Sequence, residues 1–207
     1  MQGESYLDSL VFRRVHYRYR RRSFQFDLSQ ALFSSAGVDA GTHLLLSMLA
    51  DELSLDEFDR FVDVGCGTGT LGIALAGSAD RKLLAVDRNA LAVAFTDRNA
   101  RLNGIEEIDC APSLVVPEYR DEGRELVVSN LPAKVGEPVL RLLLRQITRR
   151  ATVSGGRAGL VIVKPLADFL STELVELGAT VEAERRTANH LAVLFSCPVP
   201  PETPDEE

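Results

Sequence analysis

The chain has 207 residues, a formal net charge of −7 and three cysteines, and its length fits one large α/β domain with a full core. It contains no run of about 18 apolar residues, which excludes a transmembrane helix, and its start lacks the basic and apolar regions of a secretion signal. Cys66, Cys110 and Cys197 show no metal-site spacing, so we expect a reduced, cytoplasmic protein without a metal centre.

Residues 11–28 alternate between apolar or aromatic side chains and basic ones. This period of two predicts a β-hairpin with one arginine-rich face. Residues 1–30 carry six arginines against three acids, a local charge of about +3. Basic residues interleaved with aromatics can bind phosphates and stack bases, which favours RNA contact through Arg18, Arg20 and Arg22. The alternative is a solvated face on a hairpin that covers the core.

A helix is predicted to begin at Gly41 and Thr42, because the leucines that follow form one apolar stripe at positions 45, 46, 49 and 53. By itself this pattern is typical of an ordinary packing helix.

The stretch from Arg60 to Asn89 has the order strand, glycine loop, helix, strand. Glycines allow a sharp backbone turn and the close approach of a ligand, and the start of the helix offers free N–H groups to an anion. An acid that ends the second strand can accept hydrogen bonds from ribose hydroxyls. The pattern indicates a nucleoside-cofactor site, with these parts: Phe61–Val64, Gly65, Gly67, Gly69, Leu71–Ala76, Leu83–Val86 and Asp87.

Two kinds of nucleoside cofactor fit such a loop. Gly67, Gly69 and Gly72 match the G-x-G-x-x-G fingerprint of dinucleotide-binding proteins. Asp63 argues against a dinucleotide, since an acid in that strand suits a ligand with an amino group better than a pyrophosphate. Asn130 begins an Asn-x-Pro element for which hydride transfer has no evident use. A nicotinamide-dependent oxidoreductase and a glycine turn that only packs helix on strand are the alternatives.

The second half of the chain alternates strands and helices. We predict a Rossmann-like α/β fold whose seven-stranded sheet is mostly parallel with an antiparallel last strand. The predicted elements are strands at Glu107–Ala111, Glu125–Ser129, Leu160–Val163, Thr180–Arg185 and His190–Ser196, and helices at Pro138–Ala151 and Leu166–Leu177.

Three segments are predicted along the chain. Residues 1–30 form the hairpin extension and residues 31–197 the cofactor-binding domain. Residues 198–207 are rich in proline and acids, which is typical of a disordered tail.

Asn130, Leu131 and Pro132 follow the strand predicted at residues 125–129, and Lys134 comes two residues later. An open α/β sheet places its chemistry at such carboxyl ends of strands. Alone the element could be a simple turn, but its position one βαβ unit after the glycine loop favours a functional role.

Together these motifs resemble the "methyltransferase small domain" family of class I S-adenosylmethionine-dependent methyltransferases. That family includes ribosomal RNA guanine 2-amino methyltransferases and short archaeal relatives. DVGCGTG at residues 63–69 resembles the family's first motif, and FSSAGVDAGTHLLL at residues 33–46 resembles its upstream motif. Residues 130–133 correspond to [DNS]-P-P-[FYHI] in relatives. The resemblance covers residues 15–197.

The resemblance implies a role for each matching residue. The implied contacts to S-adenosylmethionine are Asp63, Gly65, Cys66, Gly67, Thr68, Gly69, Asp87, Arg88, Ser113 and Asn130. Among these, Asp87 binds the ribose, and Ser113 stands where relatives hold the adenine amine with Asp or Asn.

The resemblance also implies the catalytic residues. The Asn130 side-chain oxygen and the Leu131 carbonyl accept hydrogen bonds from the target amine, and Pro132 keeps the turn rigid. Leu131 replaces a proline, and Ala133 replaces the aromatic or bulky side chain that holds the target base by its face. Phe33 or a hairpin tyrosine can take over that contact. The predicted substrate contacts are Phe33, Lys134, Arg18, Arg20 and Arg22.

We therefore predict an S-adenosylmethionine-dependent N-methyltransferase that modifies a guanine exocyclic amine in ribosomal RNA. One alternative is a methyltransferase for protein glutamine amides, on which the same Asn-Pro logic operates. The other is a non-catalytic RNA-binding module that retains the cofactor pocket.

Overall fold

The computed structural model describes residues 2–32, 37–117 and 123–198, with side chains from residue 6 onward. Within these ranges an N-terminal helix and a hairpin precede an alternating α/β arrangement. The elements are α1 (Gln2–Leu10), β1 (Arg13–Tyr19), β2 (Arg22–Leu28), α2 (Ala40–Glu52), β3 (Arg60–Val64), α3 (Thr70–Ala79), β4 (Lys82–Asp87), α4 (Ala90–Leu102), β5 (Ile108–Pro112), β6 (Glu125–Asn130), α5 (Glu137–Val153), β7 (Arg157–Val163), α6 (Ala167–Glu176), β8 (Thr180–Arg186) and β9 (His190–Ser196).

The main sheet has seven strands in the order β5-β4-β3-β6-β7-β9-β8. The five neighbours β5, β4, β3, β6 and β7 pair in parallel. Strand β9 pairs antiparallel with both β7 and β8. The predicted fold class is confirmed. Helices α2, α3 and α4 pack on one face of the sheet, and α5 and α6 pack on the other. Because side chains alternate between faces, Phe61 faces one core and Val62 the other.

The hairpin of β1 and β2 forms its own two-stranded sheet. Phe24, Phe26 and Leu28 of β2 are fully buried and belong to the same core cluster as α2 and α3. The hairpin predicted within residues 11–28 is therefore part of the main core, and α1 is an additional element that the sequence pattern did not predict.

The tip of the hairpin is anchored to the ends of three helices. Arg20 donates a hydrogen bond to the carbonyl of Leu53 at 2.7 Å, just beyond α2. Arg22 donates to the carbonyls of Gly77 in α3 and Asn103 after α4. Cations are favoured there because the last carbonyls of a helix carry partial negative charge. These helices lead back to the starts of strands, so the tip lies at the amino edge of the sheet.

The order of strands reverses at β3. From β3 the chain proceeds outward through β4 and β5, and then returns to β6 on the other side of β3. Open α/β sheets bind ligands in the crevice at the carboxyl ends of the strands beside such a switch point. The glycine loop follows β3 and Asn130 ends β6, so the fold brings both predicted motifs to this crevice. No helix in the described ranges is long and apolar enough to cross a membrane.

Candidate functional site

The glycine loop has a left-handed backbone and an open surface. Gly65 and Gly67 have φ angles of 76° and 58°, which favour glycine, and a Cβ at either position would meet no atom within 4 Å. A Cβ on Gly69 would instead lie 2.7 Å from Ile73 Cδ1 and 2.8 Å from Thr96 Cγ2. Two of the glycines thus leave room for a ligand, and the third allows α3 and α4 to pack closely.

Asp87 lies at the end of β4 beside this loop. Its Oδ2 accepts a hydrogen bond from the Gly67 N–H at 3.0 Å, and its Oδ1 accepts one from the Asn89 N–H at 2.8 Å. A carboxylate oxygen can accept two hydrogen bonds, so each oxygen keeps one site for a ribose hydroxyl. The arrangement fits the ribose role that the resemblance implies. Arg88, the next residue, is exposed.

Asp63 is buried beneath the loop, where its Oδ2 accepts a hydrogen bond from the Gly72 N–H at 2.9 Å. Burial raises the pKa of Asp63 to about 7, and the charge of Asp87 adds to the rise. A cationic amino group nearby would favour the ionised form. The predicted contact between Asp63 and a ligand amine stays a prediction.

Cys66 and Thr68 are the two loop residues with buried side chains among the glycines. Thr96 donates a hydrogen bond to the Cys66 sulfur at 3.2 Å, and burial raises the pKa of the Cys66 thiol. A protonated thiol is a poor nucleophile. The predicted cofactor contacts of Cys66 and Thr68 stay predictions.

Ser113 follows β5, and its N–H donates to the carbonyl of Asp87 at 2.8 Å. This bond places Ser113 beside the predicted ribose site. Its hydroxyl donates to the carbonyl of Val115 at 2.6 Å and accepts from the Val115 N–H at 3.0 Å. The hydroxyl is thus used within its own turn, and the predicted contact with adenine stays a prediction.

The side-chain amide of Asn130 is held in one orientation. Its Nδ2 donates to Asp39 Oδ2 at 2.7 Å and to Thr42 Oγ1 at 3.1 Å. An ionised carboxylate only accepts hydrogen bonds, so the amide nitrogen must face Asp39 and Oδ1 must point away. Asp39 also caps α2 by accepting from the N–H groups of Gly41 and Thr42.

Neither Asp39 nor Thr42 was among the residues predicted for the site. The only signal in the sequence was their place in the upstream motif, in which Thr42 was predicted to lie at the start of a helix.

Hydrogen bonds to β3 on one side and β7 on the other hold the end of β6 in place. The Ser129 hydroxyl donates to the carbonyl of Val64 at 2.6 Å, and the Leu131 N–H donates to the carbonyl of Val161 at 2.9 Å. The Leu131 side chain is buried, while its carbonyl accepts no hydrogen bond from any residue that the structure describes. The next three side chains are exposed: Pro132, Ala133 and Lys134.

The predicted substrate contacts are dispersed. Phe33 lies outside the described residues. Of the hairpin tyrosines, Tyr19 is buried and Tyr17 hydrogen-bonds to His43 Nδ1 at 2.9 Å. Arg18 is exposed. The guanidinium groups of Arg20 and Arg22 hold helix ends at the opposite edge of the sheet, so RNA contact through them stays a prediction that the geometry does not favour.

Three exposed cations at the carboxyl edge of the sheet differ from Arg185 and Arg186, which end β8 there and are paired with acids. Arg88 follows β4, Lys134 lies beyond β6 and Lys164 follows β7, and all three are exposed. None of them forms an ion pair with a residue in the described part of the chain. In those same ranges no group of three or more metal-ligating side chains occurs.

Comparison with known proteins adds sequence relatives. The model of the methyltransferase small domain family matches residues 23–184. The uncharacterized protein YbxB of Bacillus subtilis is 29% identical over 143 residues, which cover 67% of this chain and 69% of that protein. The ribosomal protein L11 methyltransferase of Bacillus cereus is 29% identical over 159 residues, covering 74% of this chain and 49% of the relative. The chain thus spans about half the length of that relative.

Two solved structures share the fold. A ribosomal protein L11 methylase from Lactobacillus delbrueckii subsp. bulgaricus superposes with a TM-score of 0.68 at 21% identity, covering 83% of this chain and 84% of that one. A T. thermophilus 16S rRNA N2 methyltransferase, in complex with AdoMet and guanosine, has a TM-score of 0.72 at 19% identity, covering 90% of this chain and 51% of that one. At these identities the likeness concerns the fold alone.

Proposed function

The chain belongs to the methyltransferase small domain family of S-adenosylmethionine-dependent methyltransferases, and on this basis we propose that it methylates a guanine exocyclic amine in ribosomal RNA. The observation that carries the proposal is the fixed amide of Asn130. Its nitrogen is held by Asp39 and Thr42, so its oxygen is available as an acceptor at the crevice.

The cofactor site fits S-adenosylmethionine, which supplies a methyl group on a sulfonium centre for in-line displacement. The open backbone at Gly65 and Gly67 can accommodate the cofactor's methionine end. Asp87 keeps one acceptor site on each carboxylate oxygen for the two ribose hydroxyls. The ends of β3 and β4 would hold the cofactor beside Asn130 at the end of β6, and positioning accounts for much of the catalysis of such a displacement.

The target amine needs activation because its lone pair is delocalised into the aromatic ring. Two acceptors aimed at its two N–H bonds draw the lone pair out of conjugation. Asn130 Oδ1 and the Leu131 carbonyl are suited to this task, since the first is oriented by Asp39 and the second has no partner in the described chain. A rotated amide would present N–H groups to the amine, and the anchoring by Asp39 opposes that rotation.

RNA is favoured over protein by the charge at the carboxyl edge. The chain as a whole is acidic, yet Arg88, Lys134 and Lys164 are exposed there without ion pairs to described residues. Such cations attract a phosphate backbone. A protein is the second candidate substrate, because relatives at 29% identity are named ribosomal protein L11 methyltransferase.

The experiment is single-turnover transfer of labelled methyl groups to RNA and protein fractions from a strain that lacks this protein. Asn130→Ala should slow the transfer to RNA by about 10²–10³-fold, by analogy with the loss of one oriented group in other active sites. Its affinity for RNA should change little, because loss of an interaction that tightens in the transition state lowers turnover rather than binding. Equal transfer rates for the two proteins would refute the acceptor role, and labelling of protein alone would refute the RNA substrate.

A further inference from the structure

A groove of about 410 Å³ lies between α2 and the turn that joins β8 to β9. Leu44 is buried at its base, and the exposed Ala188 comes from the turn. The polar side chains around it are His43, Ser47, Thr187, Asn189 and His190. The cofactor loop, Asn130 and catalysis as proposed above make no use of this groove.

The groove adjoins the residues that hold the catalytic amide. A Cβ added to Gly41 would lie 2.9 Å from Asp39 Oδ2 and 3.1 Å from the His190 ring. The His190 ring and the Asp39 carboxylate, which binds Asn130, therefore both lie close to Gly41 in the first turn of α2. The cofactor loop lies on the β3–β4 side of Asn130, so this groove is on the side that remains for the substrate.

The chemistry of the groove suits a nucleotide. The two imidazole rings and the apolar floor of the groove offer surfaces on which a nucleobase can stack. The Asn189 amide offers a hydrogen-bond donor and an acceptor. Lys164, which has no ion pair with a described residue, is next to the groove because its N–H donates to the Asn189 carbonyl at 2.7 Å. The described lining contains no carboxylate.

Asp51 and the His43 ring, which lie near the groove, are already bound by neighbouring side chains. Asp51 is paired with Arg185 at 2.8 Å, and the same guanidinium donates to Ser47. Tyr17 of the hairpin hydrogen-bonds to His43 Nδ1 at 2.9 Å. The walls of the groove are thus held in place by Arg185 and Tyr17. The Asp39 carboxylate beside it already binds Asn130 and the start of α2, and Lys164 adds an exposed cation next to the groove.

We infer that this groove binds the nucleotide next to the methylated guanine in single-stranded RNA, with its base against His43 and His190 and its phosphate near Lys164. The inference rests on the proposed function and specifies where the RNA lies. It places the RNA on the side of Asn130 where β7 and β9 lie. The hairpin then has an indirect role, since Tyr17 supports His43 in the wall of the groove.

Two variants test the groove by different means. Ala188→Trp fills it from an exposed turn without a change in charge, and Lys164→Gln removes the cation. Arg21→Gln is the matched control, since Arg21 is an exposed cation at the hairpin tip, on the opposite edge of the sheet. The probe is a short fluorescein-labelled single-stranded RNA, followed by anisotropy over a range of salt concentrations.

Ala188→Trp should weaken RNA binding at least tenfold with an unchanged salt slope. Lys164→Gln should reduce the log–log salt slope by about 0.7, the value for one phosphate contact on a single strand. Arg21→Gln should leave both quantities unchanged. Thermal unfolding and S-adenosylhomocysteine affinity should match wild type in all three variants, which separates loss of the groove from loss of the fold.

The failures of the two proposals can be distinguished. If wild type methylates RNA while both groove variants bind and methylate it equally well, the groove inference is overturned and the proposed function stands. If wild type labels only protein, the proposed RNA substrate and the groove inference both fail. Slower methylation of a ribosomal protein by Ala188→Trp, with unchanged RNA binding, would identify a peptide as the occupant and overturn the inference.

Discussion

Asp39 joins two tasks in one carboxylate. It caps α2 and it binds the amide nitrogen of Asn130 at 2.7 Å, although the two residues are 91 positions apart in the sequence. The same group therefore sets the start of the helix and the orientation of the amide that we propose as the acceptor. In the proposed mechanism Asp39 does not contact the substrate, and we assign it the role of a positioning residue.

Asp39→Ser separates these tasks. Serine is a good N-cap, so α2 should persist, but its shorter side chain cannot reach Asn130. Methyl transfer should fall about tenfold to a hundredfold, in line with a small misplacement of a reacting group, while S-adenosylhomocysteine affinity holds. Asp39→Asn, whose side-chain oxygen can still accept from Asn130 and the start of α2, should restore most of the rate. Single-turnover kinetics showing equal rates for Asp39→Ser and wild type would contradict the role.

Asp63 makes stability depend on pH. Burial raises its pKa to about 7 from an ordinary value of 3.8, so the folded state holds a proton that the unfolded state releases. The free energy of unfolding should therefore fall as pH rises from about 4 to about 7, by up to about 1.4 kcal/mol per pH unit. Below that window and above it, this group adds no further slope.

Asp63→Asn should remove that fall, because an amide does not titrate. Urea denaturation at several pH values between about 4 and about 8 measures the slope. Asp109→Asn, an exposed change in the neighbouring part of the sheet, is the control and should behave as wild type. A wild-type slope that persists in Asp63→Asn would assign the pH dependence to another group.

Among the elements, α4 connects the hairpin to the cofactor loop. Asn99 donates to the carbonyls of Thr68 at 2.8 Å and Asp27 at 3.1 Å, and it accepts from the Asp27 N–H at 2.8 Å. One turn later, Asn103 makes the same paired contacts with Gln25. Both side-chain amides hydrogen-bond to the backbone of β2, but only Asn99 also binds the cofactor loop, through the Thr68 carbonyl.

Asn99→Ala should therefore lower both stability and cofactor affinity. Each buried backbone group that loses its partner costs about 1–3 kcal/mol, and release of the Thr68 carbonyl loosens the loop. Calorimetry should detect weaker S-adenosylhomocysteine binding. Asn103→Ala is the matched control, for which we expect lower stability with unchanged affinity. Equal affinities of Asn99→Ala and wild type would show that the loop does not depend on this anchor.

At the scale of the whole molecule, the hairpin belongs to the main core. Phe24, Phe26 and Leu28 of β2 are buried together with side chains of α2 and α3. Helix α1 contributes less, since Leu7 and Leu10 are only partly buried against a small separate cluster. We therefore expect the fold to require the hairpin but to tolerate the loss of α1.

Truncation tests this division. A chain that starts at residue 31 should fail to unfold cooperatively, because each lost phenylalanine alone costs about 3–5 kcal/mol against a total stability of about 5–15 kcal/mol. A chain that starts at residue 12 lacks only α1 and should keep a cooperative transition. Circular dichroism during heating distinguishes the two. Cooperative unfolding of the shorter chain would make the hairpin a separate unit, as the sequence pattern suggested.

The sequence by itself determined the sheet and the cofactor loop. The strand predicted at His190–Ser196 has those bounds in the structure, and the predicted glycines Gly65 and Gly67 do adopt positive φ angles. These features depend on side-chain periodicity and on the allowed angles of single residues, which are local properties.

Only the tertiary structure decided how polar side chains are used. The alternation in the hairpin predicted its basic face, but the guanidinium groups of Arg20 and Arg22 were then bound by helix ends. Likewise, Asp39 lies just before the helix predicted to begin at Gly41 and Thr42, and its hydrogen bond to Asn130 exists because α2 begins beside the end of β6. A long polar side chain takes whichever partner the folded chain brings within about 3 Å, and that choice is not encoded in its neighbours along the sequence.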